Sequence, residues 1–264
     1  MDVQLGCMPR AWNKHSHDAA LAGIAAAGFK NYAFLGHKDA TVDSETSPED
    51  AQKLTATVRQ HGLEPRMMYS ATRIDASEDE VLSRVKRLID NAQRTGATVL
   101  IEGGTSKPEN FDTYFSIMRR AAPYAQKKSV TIALKPHGGI STTADDTLRA
   151  VAAVGHPAYR LCFDPGNLLY YAGLRPEAEL PKLVHHVVAM CVKDEIGGNG
   201  PDRSVNVTPG DGEVDFPAVF KILKDNGFAG KPTIVETLGG TTVEEVNREA
   251  KRAYQYLTGV LASI

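Results

Sequence analysis

Short apolar runs alternate with amphipathic helical stretches eight times along this chain of 264 residues, and no long low-complexity linker breaks the series. Strand-like runs fall at Val3 to Gly6, Asn31 to Leu35, Glu64 to Tyr69, Thr98 to Glu102, Val130 to Lys135, Arg160 to Asp164, Val187 to Lys193 and Thr233 to Glu236. Helix signals fill the gaps. An alanine-rich stretch after Asp18 stops at Gly28, Ser47 precedes Pro48 as an N-cap, and Ser77 and Glu80 stand at capping-box spacing. Buried strands that are each followed by a helix predict a parallel sheet, because a parallel return needs a crossover. Eight such units favour a closed (β/α)8 TIM barrel, an α/β fold, over a doubly wound sheet. The turn after the first strand, Gly6-Cys-Met-Pro-Arg10, also lacks the glycine pattern of a dinucleotide site. Barrels of this length are ordinary single units, so one domain over residues 1–264 is expected.

Composition narrows the partners. With a net charge of −2 there is no cationic surplus to release counterions from a polyanion, so nucleic acid is not an expected partner. No apolar run approaches the ~20 residues of a membrane span, and the first residues do not read as a leader. Three widely spaced cysteines, Cys7, Cys162 and Cys191, form no disulfide framework and fit a reduced cytoplasm. A homo-oligomer is compatible with all of this.

In such a barrel the chemistry sits at the carboxyl ends of the strands. Those ends carry Glu102, Lys135 with His137, Asp164 with Asn167, Cys191 with Lys193, and Glu236; His15, His17 and His37 follow the first two strands. Each has a plain structural reading beside the functional one. Lys135 and Glu236 would also serve as a buried ion pair closing the barrel mouth, and Asp164 as a turn former before Pro165-Gly166. His137 before two glycines would serve as a solvated loop residue, Cys191 as an inert core thiol, and the Gly210-Asp-Gly212 loop as a plain turn or a phosphate cradle.

The Ala-Ala-Gly28-Phe helix end, Leu-Cys-Phe-Asp164-Pro-Gly-Asn167, Val-Lys193-Asp194, Pro209-Gly-Asp-Gly-Glu-Val-Asp215 and Gly-Lys-Pro-Thr-Ile-Val-Glu236 occur in that order. With these motifs the chain resembles the sugar phosphate isomerase/epimerase family with the xylose-isomerase-like barrel, which also holds ketose 3-epimerases, hydroxypyruvate isomerase and endonuclease IV. The resemblance implies one divalent metal ion (Mn, Mg or Zn), held by an acidic residue on the fifth strand, an aspartate on the sixth, a histidine or amide on the seventh and a glutamate on the eighth. Asp164 and Glu236 match two of these positions, whereas Lys135 and Cys191 replace the other two. Exchanging a carboxylate for an ammonium changes the site by two charge units, each worth about 4 kcal/mol against a cation at ~4 Å. Three outcomes stand open: His137 completes a set with Asp164 and Glu236, Cys191 ligates as thiolate, or Lys135 takes the metal's place in a metal-free site.

The resemblance implies a sugar or keto-sugar isomerase or epimerase that works through an ene-diolate on a small carbohydrate substrate. Such chemistry needs a base on the substrate carbon and a cation or proton donor on the oxyanion. The expected roles are Glu236 as base, Lys135 as electrophile, His137 as acid or ligand, and Lys193, Asn167, Glu102 and His37 as substrate contacts. The alternatives are a lyase, decarboxylase or deglycosidase using the same intermediate, or a non-catalytic sugar-binding barrel. A trinuclear zinc nuclease is excluded by the scarcity of strand-end histidines and of basic surface.

Overall fold

Eight parallel strands close on themselves in sequence order: β1 (Gln4–Cys7), β2 (Asn31–Phe34), β3 (Glu64–Ser70), β4 (Val99–Glu102), β5 (Thr131–Leu134), β6 (Tyr159–Phe163), β7 (Val187–Val192) and β8 (Pro232–Val235), the last pairing back onto β1. The computed structural model describes residues 1–264. Outside the strands run α1 (His17–Ala27), α2 (Pro48–Gln60), α3 (Glu78–Thr95), α4 (Phe111–Lys127), α5 (Ala144–Val154), α6 (Pro165–Ala172), α7 (Pro176–Leu183), α8 (Phe216–Asp225) and α9 (Val243–Ser263). The expected (β/α)8 barrel is therefore what forms. No helix is long and apolar enough to cross a membrane.

The helix boundaries follow local chemistry. Ser77 and Glu80, Thr143 and Asp146, and Thr242 and Glu245 form reciprocal capping boxes, each satisfying amide donors that a helix start leaves without partners. The sequence did not mark α6. The stretch read as a turn after Asp164 is a helix of two turns, begun by Pro165 at its first position and capped by Asp164 itself.

Alternation along each strand divides the apolar residues into two layers. Ala33, Met67, Ile101, Ala133, Cys191 and Ile234 pack inside the barrel, while Phe34, Met68, Leu100, Leu134, Val192 and Val235 join the larger core beneath the helices. The same two-residue period then decides which strand-end groups face inward. Lys135 follows Ala133, Asp164 follows Cys162, Lys193 follows Cys191 and Glu236 follows Ile234. One glycine is required for this closure: a Cβ on Gly6 would lie 2.3 Å from the carbonyl oxygen of Asn31, so β1 and β2 approach only without a side chain there.

Candidate active site

Four charged groups from four consecutive strands meet at the carboxyl end of the barrel. The Lys135 ammonium lies 2.7 Å from Glu236 Oε2 and 3.3 Å from Asp164 Oδ2. The Lys193 ammonium lies 2.9 Å from Glu236 Oε1 and 3.2 Å from the same Asp164 oxygen. All four side chains are buried. Asp164 Oδ2 is close enough to both ammoniums for strong charge attraction, but neither N–H points at it well enough to make a hydrogen bond. Asp164 Oδ1 accepts the backbone N–H of Asn167 at 3.0 Å and so caps α6. The turn-former reading and the functional one thus hold together, one for each oxygen.

Arg10, in the short turn after β1, donates to Glu236 Oε1 at 2.6 Å and keeps 39% of its side chain exposed. Sequence reasoning missed it; the only signal was a basic residue at the first strand end, inside the turn noted for lacking glycines. Arg10 also lines a cavity of about 420 Å³ with Asn206, Thr237 and Gly239. Three cations and two anions give the cluster a formal surplus of one positive charge.

Two further residues set the lysines in place. Asn167 on α6 accepts from Lys193 Nζ at 3.0 Å and donates its amide to the Pro136 carbonyl at 2.6 Å. Both ends of that amide are used within the protein, so Asn167 positions Lys193 and is not free to contact substrate as expected. Gly166 lets the start of α6 lie directly on β7, because a Cβ there would come within 2.8 Å of the Lys193 carbonyl oxygen.

The ionisation states follow from this geometry. Burial alone would push Lys135 down, but the carboxylates of Glu236 and Asp164 outweigh it and hold the ammonium well above the ordinary lysine range. Burial would likewise raise Glu236, yet the charges of Lys135 and Lys193 hold it well below the ordinary carboxylate range. Lys193 Nζ donates to Asn167 Oδ1 at 3.0 Å and stands in ion-pair contact with Glu236 Oε1 at 2.9 Å and Asp164 Oδ2 at 3.2 Å. Lys135 Nζ donates to Glu236 Oε2 alone and so keeps N–H groups without a protein acceptor, with the Tyr69 ring centroid 5.8 Å away.

Several expected contacts lie elsewhere. Glu102 shares the face of Leu100, toward the helices, and its carboxylate accepts the backbone N–H of Thr72 at 3.0 Å and the Thr72 hydroxyl at 2.6 Å. It braces the loop after β3 and does not reach the lysine cluster; burial pushes its carboxyl up to about 7 against those bonds. His17 is likewise structural, its Nε2 lying 3.0 Å from the Tyr32 hydroxyl, and His15 Nε2 lies 3.0 Å from the Thr241 carbonyl oxygen. The amides of the Gly210 to Val214 loop hold no free cradle: those of Gly210, Gly212 and Val214 all donate to the Asp194 carboxylate. Lys193 pairs with Asp164 and Glu236 and not with the adjacent Asp194.

His37 makes no contact with the lysine cluster among its hydrogen bonds. It is buried after β2, accepts the Asp39 N–H on Nδ1 at 3.2 Å, and has no partner for Nε2. His137 stands at the mouth with Nε2 3.4 Å from the Tyr171 hydroxyl. Crowding of the ring, then the charges of Lys135 and Lys193, push its pKa below 6.5, so it is neutral near pH 7.

The grouping that best resembles a metal cradle is Asp164, Cys191 and Glu236, whose ligand atoms lie within 4.8 Å of one another. His137 is not in it, its ring turned to Tyr171 instead. The Cys191 thiol lies 3.6 Å from Cys162 Sγ and burial holds its pKa well above the usual thiol range, which disfavours a thiolate ligand. The two carboxylates are already shared by two ammoniums. A dication entering here meets two carboxylates and, with Arg10, three cations, so nothing is left over to offset its dehydration. The donor set does not fit a divalent metal in this arrangement.

A family model described as xylose isomerase-like TIM barrel matches residues 21–258. The inosose dehydratase of Erwinia tasmaniensis is 29% identical over 154 residues, a match covering 52% of this chain and 51%, about half, of that enzyme. The L-ribulose-5-phosphate 3-epimerase of Salmonella heidelberg is 26% identical over 82% of this chain and 79% of its own. A xylose isomerase-like TIM barrel protein from Mycobacterium smegmatis, solved in complex with magnesium, superposes with a TM-score of 0.71 at 17% identity, covering 94% of this chain and 92% of that one. By the extent of that family match, the chain belongs to the xylose isomerase-like TIM barrel family.

Proposed function

We propose that this barrel is an enzyme that moves a proton next to the carbonyl of a small sugar-type substrate, with isomerisation or epimerisation as the outcome. The observation that carries the reading is the pair of buried, charged ammoniums of Lys135 and Lys193, fixed by Asp164 and Glu236 before any substrate arrives. Charge fixed in a dry site is what an ene-diolate oxyanion needs, since stabilising it then costs little reorganisation. The spare N–H of Lys135 is the donor for that oxygen.

The names of the relatives support the same first step. Inverting carbon 3 of a 2-ketose and dehydrating an inosose both begin by removing a proton from a carbon beside a ketone. In the proposed sequence a base takes that proton and the carbonyl oxygen becomes the oxyanion held by Lys135. Returning the proton to the other face of the same carbon gives the epimer; placing it on the former carbonyl carbon, while the neighbouring hydroxyl passes its proton to the former carbonyl oxygen, gives the isomer. Expelling a β-hydroxyl as water, its extra proton supplied by an acid of the site, gives a dehydration instead.

Glu236 was the expected base, but its surroundings favour the role of counter-ion. A carboxylate bound by Lys135, Lys193 and Arg10 and held well below the ordinary range is a weak base toward a carbon acid. Neutral His137 has the better-matched basicity at the mouth of the same pocket. Asp164 and Glu236 are then the counter-ions that keep the lysines charged, and the buried Nε2–H of His37 has no partner in the protein.

The test is a panel of ketoses, ketose phosphates and inososes incubated with the protein in heavy water and followed by proton NMR. Loss of the signal from a hydrogen beside the carbonyl is the expected result. Intact signals across the panel, with binding still measurable, would assign the barrel to sugar binding without catalysis.

A further inference from the structure

We propose that Lys135 and Lys193 together take the place of a divalent cation, so that this centre is assembled and works without a metal ion. The proposal rests on the pocket being the reaction centre, but its main readouts need no substrate. Two ammoniums carry the same charge of +2 as the cation that the resemblance implied. They also bridge as a cation would: each lysine touches both carboxylates, with Asp164 Oδ2 at 3.3 and 3.2 Å and the Glu236 oxygens at 2.7 and 2.9 Å. The remaining coordination capacity is gone. Asp164 Oδ1 is committed to the Asn167 amide, Glu236 Oε1 also accepts from Arg10, and the Cys191 thiol stays protonated.

Lys135 is the decisive residue. Removing its charge leaves Lys193 and Arg10 balanced against two carboxylates, a net neutral cluster, and a carboxylate at 135 would add a third anion and make it net negative. One substitution on β5 should therefore convert an ammonium-filled centre into a metal-binding one. The resting cluster also needs no metal for its own stability, because each charge already has its counter-charge.

The experiment is metal analysis of the purified full-length protein by mass spectrometry, with melting temperatures in EDTA and in added manganese, magnesium or zinc. The wild-type protein is expected to carry well under one metal per chain and to melt at the same temperature in every condition. Lys135→Glu is expected to bind one manganese ion by calorimetry and to gain several degrees of melting temperature when manganese is added. If that variant folds only with metal, metal-dependent folding is the same result. Lys135→Gln, which keeps the volume and removes the charge, is expected to show a weaker metal-dependent shift.

A wild-type protein holding one divalent ion whose removal lowers its melting temperature overturns the proposal. So does a folded Lys135→Glu variant that ignores metals. Proton exchange that persists in EDTA supports both proposals, and its absence from a metal-free, folded protein counts only against the reaction assigned above.

Discussion

Lys193 and Asn167 are joined by a buried hydrogen bond of 3.0 Å across 26 residues of sequence, and the other end of the same amide holds the Pro136 carbonyl at 2.6 Å. One side chain on α6 therefore spaces the ends of β5 and β7, which deliver the two lysines. Asn167→Ala removes both bonds and strands a buried N–H of Lys193 and a buried carbonyl. A loss of about 2 to 6 kcal/mol is expected from roughly 1 to 3 kcal/mol per stranded group. Turnover should fall while the Michaelis constant changes little, since the amide has no atom left for substrate. Urea unfolding and steady-state kinetics on that variant check both parts.

Glu236→Gln separates the counter-ion role from that of the base. A base acting alone would leave stability untouched when neutralised in place. The counter-ion for two buried ammoniums cannot be neutralised so cheaply, and about 3 to 5 kcal/mol of stability should go, as for other broken buried pairs. An unchanged melting temperature together with lost turnover would restore Glu236 as the base.

The pH profile reports on His137. Its pKa is held below 6.5, and the neutral ring is the working form. The value of kcat/KM should be flat near neutrality and fall with acid, with its midpoint below 6.5. His137→Asn should lower kcat by roughly 10² to 10⁴, the usual span of general acid-base catalysis, and remove that acid limb. A variant that keeps the limb places the essential base elsewhere.

Glu102 gives a stability signature of the opposite sign. Its folded pKa is raised, to about 7 from 4.5, so its favourable contribution is complete below 4.5 and is lost as pH rises through 7. The shift corresponds to roughly 3 kcal/mol across that window. Glu102→Gln can still accept the Thr72 N–H and donate to the Thr72 hydroxyl. It should melt higher than wild type at pH above about 8, by an amount that shrinks toward pH 4.5, and should keep its turnover. A large loss of turnover would return Glu102 to the substrate contacts.

The barrel was legible because its signals are periodic and local. Strand runs such as Val-Leu-Ile before Glu102 and cap residues such as Ser77 and Thr242 state their roles within a few residues. The inward set Lys135, Asp164, Lys193 and Glu236 was equally readable, since the two-residue period carries from buried strand to strand end. What stayed hidden depends on through-space partners. Glu102 ends a strand like the others, but it sits one register step out of phase and faces Thr72. Arg10 lies in a turn with no strand periodicity, and its bond to Glu236 spans 226 residues. Whether Glu236 is a base or a counter-ion turns on how many cations surround it, which no local pattern encodes.

Asp164 divides its two oxygens between tasks of different kinds, one anchoring the first turn of α6 and the other facing the ammoniums. The carboxylate is therefore a joint between backbone and pocket. At the far end of this short helix Tyr171 meets His137. The ion cluster and the histidine beside it are thus fastened to the two ends of one eight-residue helix.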